Sequence, residues 1–355
     1  VIIHGYEEYG AKFLDKMNGM FAFALWDNKS EKLFMARDRF GKKPLYYSLI
    51  DKGILFSSEL KALKTHPDFV NNLDVKALSL YFQFEYTPAP YTIYEKAFKL
   101  PAGHYLEFST KGINLTKWWD VNIYENKVWK DCSEQEIIQT LTEKLSHAVE
   151  RRLISDVPLG VFLSGGIDSS IITALMADIV PASRIKTFSI GFNENSFDES
   201  SYAKLVADRF GTEHHQKILS SKDMPGIIPT ITNLLDEPYA DASIIPTYLL
   251  SSFTREHVTV ALGGDGGDEL FAGYDPFLAD FWANQYTRLP RLINNYLIKP
   301  LVNSLPVSDN NMSLDFKAKR FLKDVYNHPV IRNQMWLGAF NKQEQISLLS
   351  QEVCN

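Results

Sequence analysis

The stretch Val161-Phe162-Leu163-Ser164-Gly165-Gly166-Ile167-Asp168-Ser169-Ser170 decides the fold of the second half of this chain. It begins as an apolar strand, passes through a glycine turn and runs into a helix that we predict over residues 171–179. Glycines let a backbone approach an anion closely, and the N–H groups and dipole of a helix N-terminus favour a phosphate. The serines add hydroxyl donors. The stretch therefore predicts a phosphate-binding loop.

This loop differs from two common phosphate-binding sequences. No lysine follows the glycines, which excludes the Gly-x-x-x-x-Gly-Lys-Ser/Thr pattern, and the spacing is not the dinucleotide fingerprint. Asp168 places a carboxylate beside the phosphates, an arrangement that makes sense only if a magnesium ion bridges them. Such a loop suits the pyrophosphate released when ATP is attacked at its α-phosphate. A plain glycine turn is the alternative interpretation.

A second loop, Gly263-Gly264-Asp265-Gly266-Gly267-Asp268-Glu269-Leu270-Phe271-Ala272-Gly273-Tyr274, follows a predicted strand at residues 258–262. Ligands gather at the carboxyl ends of strands in open α/β sheets, so we expect this acidic loop to lie near the first loop. Asp268 is then the second carboxylate for magnesium. Asp265 is a candidate base, or a residue that orients an attacking amine. A calcium-binding or purely structural turn is the alternative, although the EF-hand spacing is absent.

Three other features each have two interpretations. The acidic cluster Asp236–Asp241 is either a solvated turn or a rim for substrate or ammonia. His214 and His215 are interpreted as part of a strand rather than as a metal site. The stripe Phe188, Ile190 and Phe192 is most simply core, although Ile190 could also pack on an adenine.

Strands and helices alternate after residue 125, which predicts a parallel α/β sheet. Strands are expected at residues 157–163, 185–191 and 258–262. Ser133 and Glu136 match a capping box ahead of a helix, and Gly211 is placed to end a helix over residues 200–210.

The first half predicts an α+β layer structure. A helix over Val1–Tyr9 precedes two hairpins, one pairing residues 20–26 with 32–37 and one pairing 45–48 with 54–57. Residues 110–132 show no clear periodicity, and we interpret them as a connector that contains the domain boundary, with domains at 1–125 and 126–355.

Composition excludes several classes of protein. The net charge of −6 and the lack of basic runs argue against a nucleic-acid partner. No apolar stretch is long enough for a membrane helix, and we expect no signal peptide. Two cysteines, Cys132 and Cys354, are too few for a disulfide framework and have no zinc-ligand spacing, so we expect a cytoplasmic setting.

Three segments together resemble the glutamine-hydrolysing asparagine synthetases of the bacterial type. They are the two loops and Asp236-Glu237-Pro238-Tyr239-Ala240-Asp241-Ala242-Ser243. Upstream, residues 18–24, 36–47 and 57–63 resemble the later part of that family's N-terminal-nucleophile glutaminase domain.

The resemblance implies a fold, an activity and a set of ligands. Residues 1–125 would be an α+β remnant of an αββα glutaminase domain, followed by an α/β parallel-sheet, HUP-like adenylating domain of the pyrophosphatase-loop type. The implied activity is the ATP-dependent conversion of aspartate to asparagine through β-aspartyl-AMP, using ammonia from glutamine. The implied ligands are ATP, magnesium, aspartate and glutamine, and a homodimer is left open.

Site residues carry over by position. The resemblance implies that Asp168 and Asp268 hold magnesium, and that Asp265 stands where many relatives have glutamate. It implies that ATP or pyrophosphate is bound by Phe162, Leu163, Ser164, Gly165, Gly166, Asp168, Ser169, Ser170, Ile190, Gly263 and Gly264.

Both ends of the chain look cut. Val1 lies inside a predicted helix, and the chain stops at Asn355 without a terminator. The family's nucleophilic N-terminal cysteine, its glutamine-gripping residues and a C-terminal lysine near the adenylate have no counterpart. We therefore expect a fragment that lacks glutaminase activity and is a poor synthetase, from a parent that has both activities.

Two alternatives to an asparagine synthetase stay open from the sequence. One is a related ATP-dependent amidotransferase that acts on another carboxylate, in lactam formation or in peptide or sugar tailoring. The other is a non-catalytic relative that keeps the fold.

Overall fold

The computed structural model describes residues 1–121, 127–194, 196–220, 222 and 224–350. The chain divides into two units, one of Val1–Glu125, Leu235–Asp241 and Gly338–Asn355, the other of Asn126–Leu234 and Ala242–Leu337. Three separate segments of chain therefore build the first unit. The predicted boundary between residues 125 and 126 and the second cysteine, Cys354, lie outside the described residues.

The first unit contains two antiparallel sheets, ordered β1-β2-β6-β7 and β4-β3-β5. Both hairpins predicted from the sequence are present, as β1 with β2 and β3 with β4. The elements are α1 (Ile2–Tyr9), a 3-10 turn (Gly10–Lys16), β1 (Ala22–Asp27), β2 (Lys32–Arg37), β3 (Tyr46–Ile50), β4 (Gly53–Ser57), α2 (Leu60–Leu63), α3 (Val75–Phe84), β5 (Ala97–Lys99), β6 (His104–Ser109) and β7 (Gly112–Lys117).

Strand β7 corrects the interpretation of the start of residues 110–132 as a connector without clear periodicity. It pairs antiparallel with β6 along its whole length. Five of its six residues are exposed, and its apolar alternation is limited to two residues, Ile113 and Leu115. The sequence therefore carried little strand signal there.

A buried carboxylate shapes the turn after β2. Asp38 is only 2% exposed. Its side chain accepts N–H bonds from Phe21, Phe40, Lys42 and Lys43 at 3.0–3.2 Å. Because a buried carboxylate must be hydrogen-bonded to be tolerated, this residue of the 36–47 segment has a structural role.

The second unit is built on a parallel sheet of order β10-β9-β8-β11, which confirms the predicted α/β arrangement. Its elements are a 3-10 turn (Lys127–Asp131), α4 (Glu134–Leu153), β8 (Leu159–Phe162), α5 (Ile167–Ile179), a 3-10 turn (Ala182–Arg184), β9 (Lys186–Phe192), α6 (Ser200–Phe210), β10 (Glu213–Leu219), α7 (Ile228–Leu234), α8 (Ile244–Arg255), β11 (Val260–Leu262), α9 (Gly267–Phe271), α10 (Asp275–Tyr286), α11 (Arg291–Ile293), a π-helical turn (Asn294–Ile298), α12 (Lys299–Asn303), α13 (Leu314–Asp324) and α14 (Pro329–Leu337).

Local sequence signals start and stop these helices as expected. The capping box at Ser133 and Glu136 is formed at the N-terminus of α4. Gly211 ends α6 with a left-handed φ of 72°. Helix α5 begins at Ile167, four residues earlier than predicted, so it starts directly from the glycine turn.

Two further features complete the fold. The last helix, α15 (Lys342–Leu348), belongs to the first unit, where Ser79 Oγ donates to Gln345 Oε1 at 2.7 Å. In the second unit Arg332 is 2% exposed, and its guanidinium bonds Asp280, Asn284 and the Val325 carbonyl. Within the described ranges no helix is both long and apolar enough to cross a membrane.

Candidate active site

The first loop is held in shape by its own serines. Ser164 Oγ and Ser169 Oγ lie 3.0 Å apart, and Gly166 N–H donates to Ser164 Oγ at 3.2 Å. Ser169 Oγ and Ser170 Oγ both donate to the Gly166 carbonyl, at 3.2 and 2.7 Å. The hydroxyls therefore stabilise the turn, which leaves the backbone as the main source of donors for an anion.

Backbone N–H groups are available because α5 starts at the turn. The first N–H groups of a helix have no partner within the helix, and here they belong to Ile167, Asp168 and Ser169. They carry the positive end of the helix dipole. The loop is at the surface, with Ser164 and Gly166 exposed, so an anion can reach it.

Gly165 is the tightest point of the loop. Its φ is +86°, and a Cβ there would lie 2.5 Å from both the Ala203 nitrogen and the Tyr202 Cβ. Helix α6 therefore packs directly on the loop. The sequence pointed to a glycine at this position but not to the helix that lies against it.

The acidic loop meets the first loop, as the sequence predicts. Strands β8 and β11 are parallel neighbours with Val161 opposite Leu262, so both loops leave the same edge of the sheet. A Cβ on Gly264 would lie 2.8 Å from Asp168 Cβ. A Cβ on Gly267 would lie 2.4 Å from Asp168 Cγ, so the Asp168 carboxylate rests on the backbone of the acidic loop.

This arrangement fits a magnesium ion held together with phosphate oxygens. Asp168 touches Gly267, and Asp268 is the next residue along the chain. Magnesium in such sites takes one or two carboxylates, phosphate oxygens and several waters. Groups of three or more potential metal ligands do not occur among the described residues, so Asp168 and Asp268 remain the two carboxylates that the sequence nominates for a metal.

The candidate nucleoside residues lie in three different environments. Leu163 is 1% exposed and packs on Ala203 and Ala207, so only its backbone can face a ligand. Ile190 is half-buried and lies two positions beyond Phe188, whose carbonyl accepts the Leu163 N–H at 2.8 Å. The Phe162 side chain instead lines a cavity of about 490 Å³ beside α8 and β11.

The other acids of the second loop are held by short local contacts. A Cβ on Gly263 would lie 2.6 Å from Asp265 Oδ2, so this carboxylate turns back toward the start of the loop. Tyr274 donates its hydroxyl to Glu269 at 2.8 Å. This hydrogen bond, aided by burial and nearby carboxylates, raises the pKa of Tyr274 to about 12.

The acidic cluster at 236–241 lies in the first unit. Asp236 accepts the N–H groups of Leu60 and Lys61 at 2.7 and 3.3 Å, which caps α2. Glu237 accepts the N–H of Ile93 at 3.1 Å and pairs with Lys99. Both acids are therefore engaged in contacts that hold the first unit together.

The two adjacent histidines lie in β10, as interpreted from the sequence. His214 contacts Thr187 Oγ1 at 2.9 Å and Ser189 Oγ at 3.3 Å, and burial lowers the pKa of its imidazole. His215 pairs with Glu213 at 2.8 Å and stacks on Phe188. The two rings point to different partners.

These features define a class of protein: an α/β protein whose parallel sheet carries a glycine- and serine-rich loop at a helix N-terminus and an acidic loop on adjacent strands. Comparison with known sequences is more specific. The Asparagine synthase family matches residues 140–346, and the Glutamine amidotransferase domain matches residues 1–119. The chain belongs to the asparagine synthase family.

Named relatives agree with this assignment. A protein of Methanocaldococcus jannaschii, provisionally named asparagine synthetase [glutamine-hydrolyzing] 2, is 37% identical over 97% of this chain and 64% of its own length. Asparagine synthetases [glutamine-hydrolyzing] 1 and 3 of Bacillus subtilis are 33% and 34% identical, over 84% and 78% of this chain. The chain spans 46% and 47% of those two relatives.

Proposed function

We propose that this chain carries the ATP-binding part of a glutamine-dependent asparagine synthetase. The observation that carries the proposal is the contact between the two loops, in which the Asp168 carboxylate lies on Gly267 beside an open helix N-terminus. Membership of the asparagine synthase family supports the choice of reaction.

The reaction has two steps. In the first, a side-chain carboxylate oxygen of aspartate attacks the α-phosphorus of ATP, and the bond to the β,γ-pyrophosphate breaks to give β-aspartyl-AMP. In the second, ammonia attacks the acyl carbon, AMP leaves with the electron pair of the broken C–O bond, and the added nitrogen loses a proton to give asparagine. The ammonia would come from glutamine hydrolysed by the complete N-terminal domain.

The residues of the two loops would bind different parts of the ligand. The N–H groups of the first turn of α5 would hold the pyrophosphate, with Ser164, Ser169 and Ser170 keeping the turn in shape. Asp168 and Asp268 would hold magnesium, which neutralises phosphate charge when bound. The backbone of Leu163, Gly263 and Gly264, together with Ile190, would face the nucleoside.

Asp265 is the candidate acid for the second step. The family resemblance implies the longer glutamate here, and the Asp265 carboxylate turns back onto Gly263. We propose that it orients the incoming amine or accepts its proton.

For the first unit we propose the N-terminal-nucleophile glutaminase architecture. Two antiparallel sheets flanked by helices and the match to the Glutamine amidotransferase domain support it. Because the chain spans only part of its relatives, glutamine use is proposed for the whole protein.

The direct test is isotope exchange between labelled pyrophosphate and ATP, run on this chain and on the longest product of its gene. Exchange that depends on aspartate is expected, and Asp168→Asn should abolish it. Exchange that ignores aspartate but responds to another carboxylic acid would redirect the proposal to a different amidotransferase. If no acid supports exchange in the longest product, the chain is a non-catalytic relative.

A further inference from the structure

The glycines of the acidic loop are not explained by backbone conformation alone. Of the five glycines between residues 263 and 273, only Gly266 has a left-handed φ, at +93°. Gly263, Gly264, Gly267 and Gly273 have conformations that any residue can adopt. Something other than torsional freedom must exclude a side chain from these positions.

A carboxylate stands where each of three missing side chains would be. A Cβ on Gly263 would lie 2.6 Å from Asp265 Oδ2, and one on Gly273 would lie 2.0 Å from Asp268 Oδ1. Distances below 3.0 Å are shorter than real Cβ contacts. The two pairs lie within one loop, so they constrain only its local shape.

The contact at Gly267 joins the two loops. A Cβ there would lie 2.4 Å from Asp168 Cγ and 2.5 and 2.7 Å from its two carboxylate oxygens. All three nearest atoms belong to this one carboxyl group. Gly264 also packs closely on Asp168. A Cβ on Gly264 would lie 2.8 Å from Asp168 Cβ and 2.9 Å from the Ser169 nitrogen.

We propose that Gly267 is a positioning residue for Asp168. By carrying no side chain, it provides a seat, the space in which the Asp168 carboxylate lies against the backbone of the acidic loop. An alanine at this position would push the carboxylate into another rotamer, away from the backbone of the acidic loop. The consequence for magnesium rests on the proposed function, whereas the seat itself is a property of the fold.

Because Gly267 lies in a helix, the proposal can be tested by whether Gly267→Ala stabilises or destabilises the protein. Gly267 is the first residue of α9, and alanine normally stabilises a helix relative to glycine. With Asp168 in place, Gly267→Ala should destabilise the protein by steric conflict. With the Asp168 side chain shortened to a methyl group, the same substitution should be neutral or stabilising.

The experiment is a double-mutant cycle on the thermal unfolding midpoint, measured without nucleotide on this chain. Gly267→Ala should lower the midpoint by about 2–4 °C in the wild type and should not lower it in Asp168→Ala. An equal lowering in both backgrounds would overturn the proposal. If the Gly267→Ala single variant does not fold, folding of the Gly267→Ala, Asp168→Ala double variant supports the proposal. If neither variant folds, the proposal is overturned.

A second readout connects the seat to the ligand. Binding of ATP with Mg²⁺, measured by calorimetry, should weaken about tenfold for Gly267→Ala and for Asp168→Asn, with no further loss in the double variant. Additive losses would contradict the seat. Gly53→Ala is the matched control, since nothing lies within 4 Å of its added methyl group. If the wild type does not bind ATP, the proposed function fails while the unfolding cycle still decides the role of Gly267.

Discussion

Replacing Gly165 by alanine tests whether packing against α6, as well as backbone conformation, fixes the first loop. A left-handed φ costs a residue with a Cβ about 1–2 kcal/mol. The Cβ would also lie 2.5 Å from a backbone nitrogen of α6, and such overpacking costs about 1–3 kcal/mol. The expected loss of unfolding free energy for Gly165→Ala is therefore about 2–5 kcal/mol.

Gly211→Ala separates the two contributions. Gly211 also has a left-handed φ, of +72°, but nothing lies within 4 Å of an added Cβ. Both substitutions reduce the entropy of the unfolded chain equally, so that effect cancels in the comparison. Gly211→Ala should cost only the conformational part, about 1–2 kcal/mol.

The assay is urea unfolding at constant pH, followed by circular dichroism. The larger loss for Gly165→Ala, by about 1–3 kcal/mol, measures the contact between the loop and α6. Equal losses for the two variants would refute the role of α6. Pyrophosphate exchange adds a functional readout, because only Gly165→Ala should reduce it.

Three more predictions concern residues outside the two loops. Asp236→Ala uncaps α2 and should lower the unfolding free energy by about 1 kcal/mol without changing pyrophosphate exchange; lost exchange at unchanged stability would instead support a substrate rim. Burial lowers the native pKa of His214, so the native state binds fewer protons than the unfolded state. The free energy of unfolding in urea should therefore fall as the pH drops below about 6.5. His214→Asn should make that fall smaller, and an unchanged pH profile in this variant would contradict the role of His214. Arg332→Met removes the buried partner of an ion pair whose other side chain, Asp280, is 28% exposed, and should cost about 1–3 kcal/mol in urea unfolding. Lys317→Met, in an exposed pair, should cost no more than about 1 kcal/mol, and similar losses for the two would show that burial is not the cause.

The sequence predicted what is encoded locally. The segment from β8 through Gly165 to α5 contains a strand, a turn and a helix start within a few residues. The acidic loop follows a predicted parallel strand, and this predicted that it lies at the same edge of the sheet as the first loop. The capping box at Ser133 and the glycine at 211 are equally local signals, and both are formed.

Features that depend on distant residues could not be predicted. No residue near Gly267 in the sequence indicates that Gly267 contacts the Asp168 carboxylate of the first loop. From the sequence, the acids at 236 and 237 belong either to a solvated turn or to a rim for substrate or ammonia, yet they accept N–H groups from Leu60 and Ile93. Strand β7 escaped detection because its residues are exposed, so no burial constrains their pattern.

The three-segment composition of the first unit has a consequence for synthesis on the ribosome. Its sheets can pair as soon as residues 22–117 emerge, but the carboxylate that caps α2 comes from residue 236, and the helix that bonds Ser79 comes from residues 342–348. The first segment of the second unit, Asn126–Leu234, must be translated before Asp236 exists, and its second segment, Ala242–Leu337, before α15 exists. Domains tend to fold as units in order of synthesis. The first unit would therefore complete its folding only after α15 has left the exit tunnel of the ribosome.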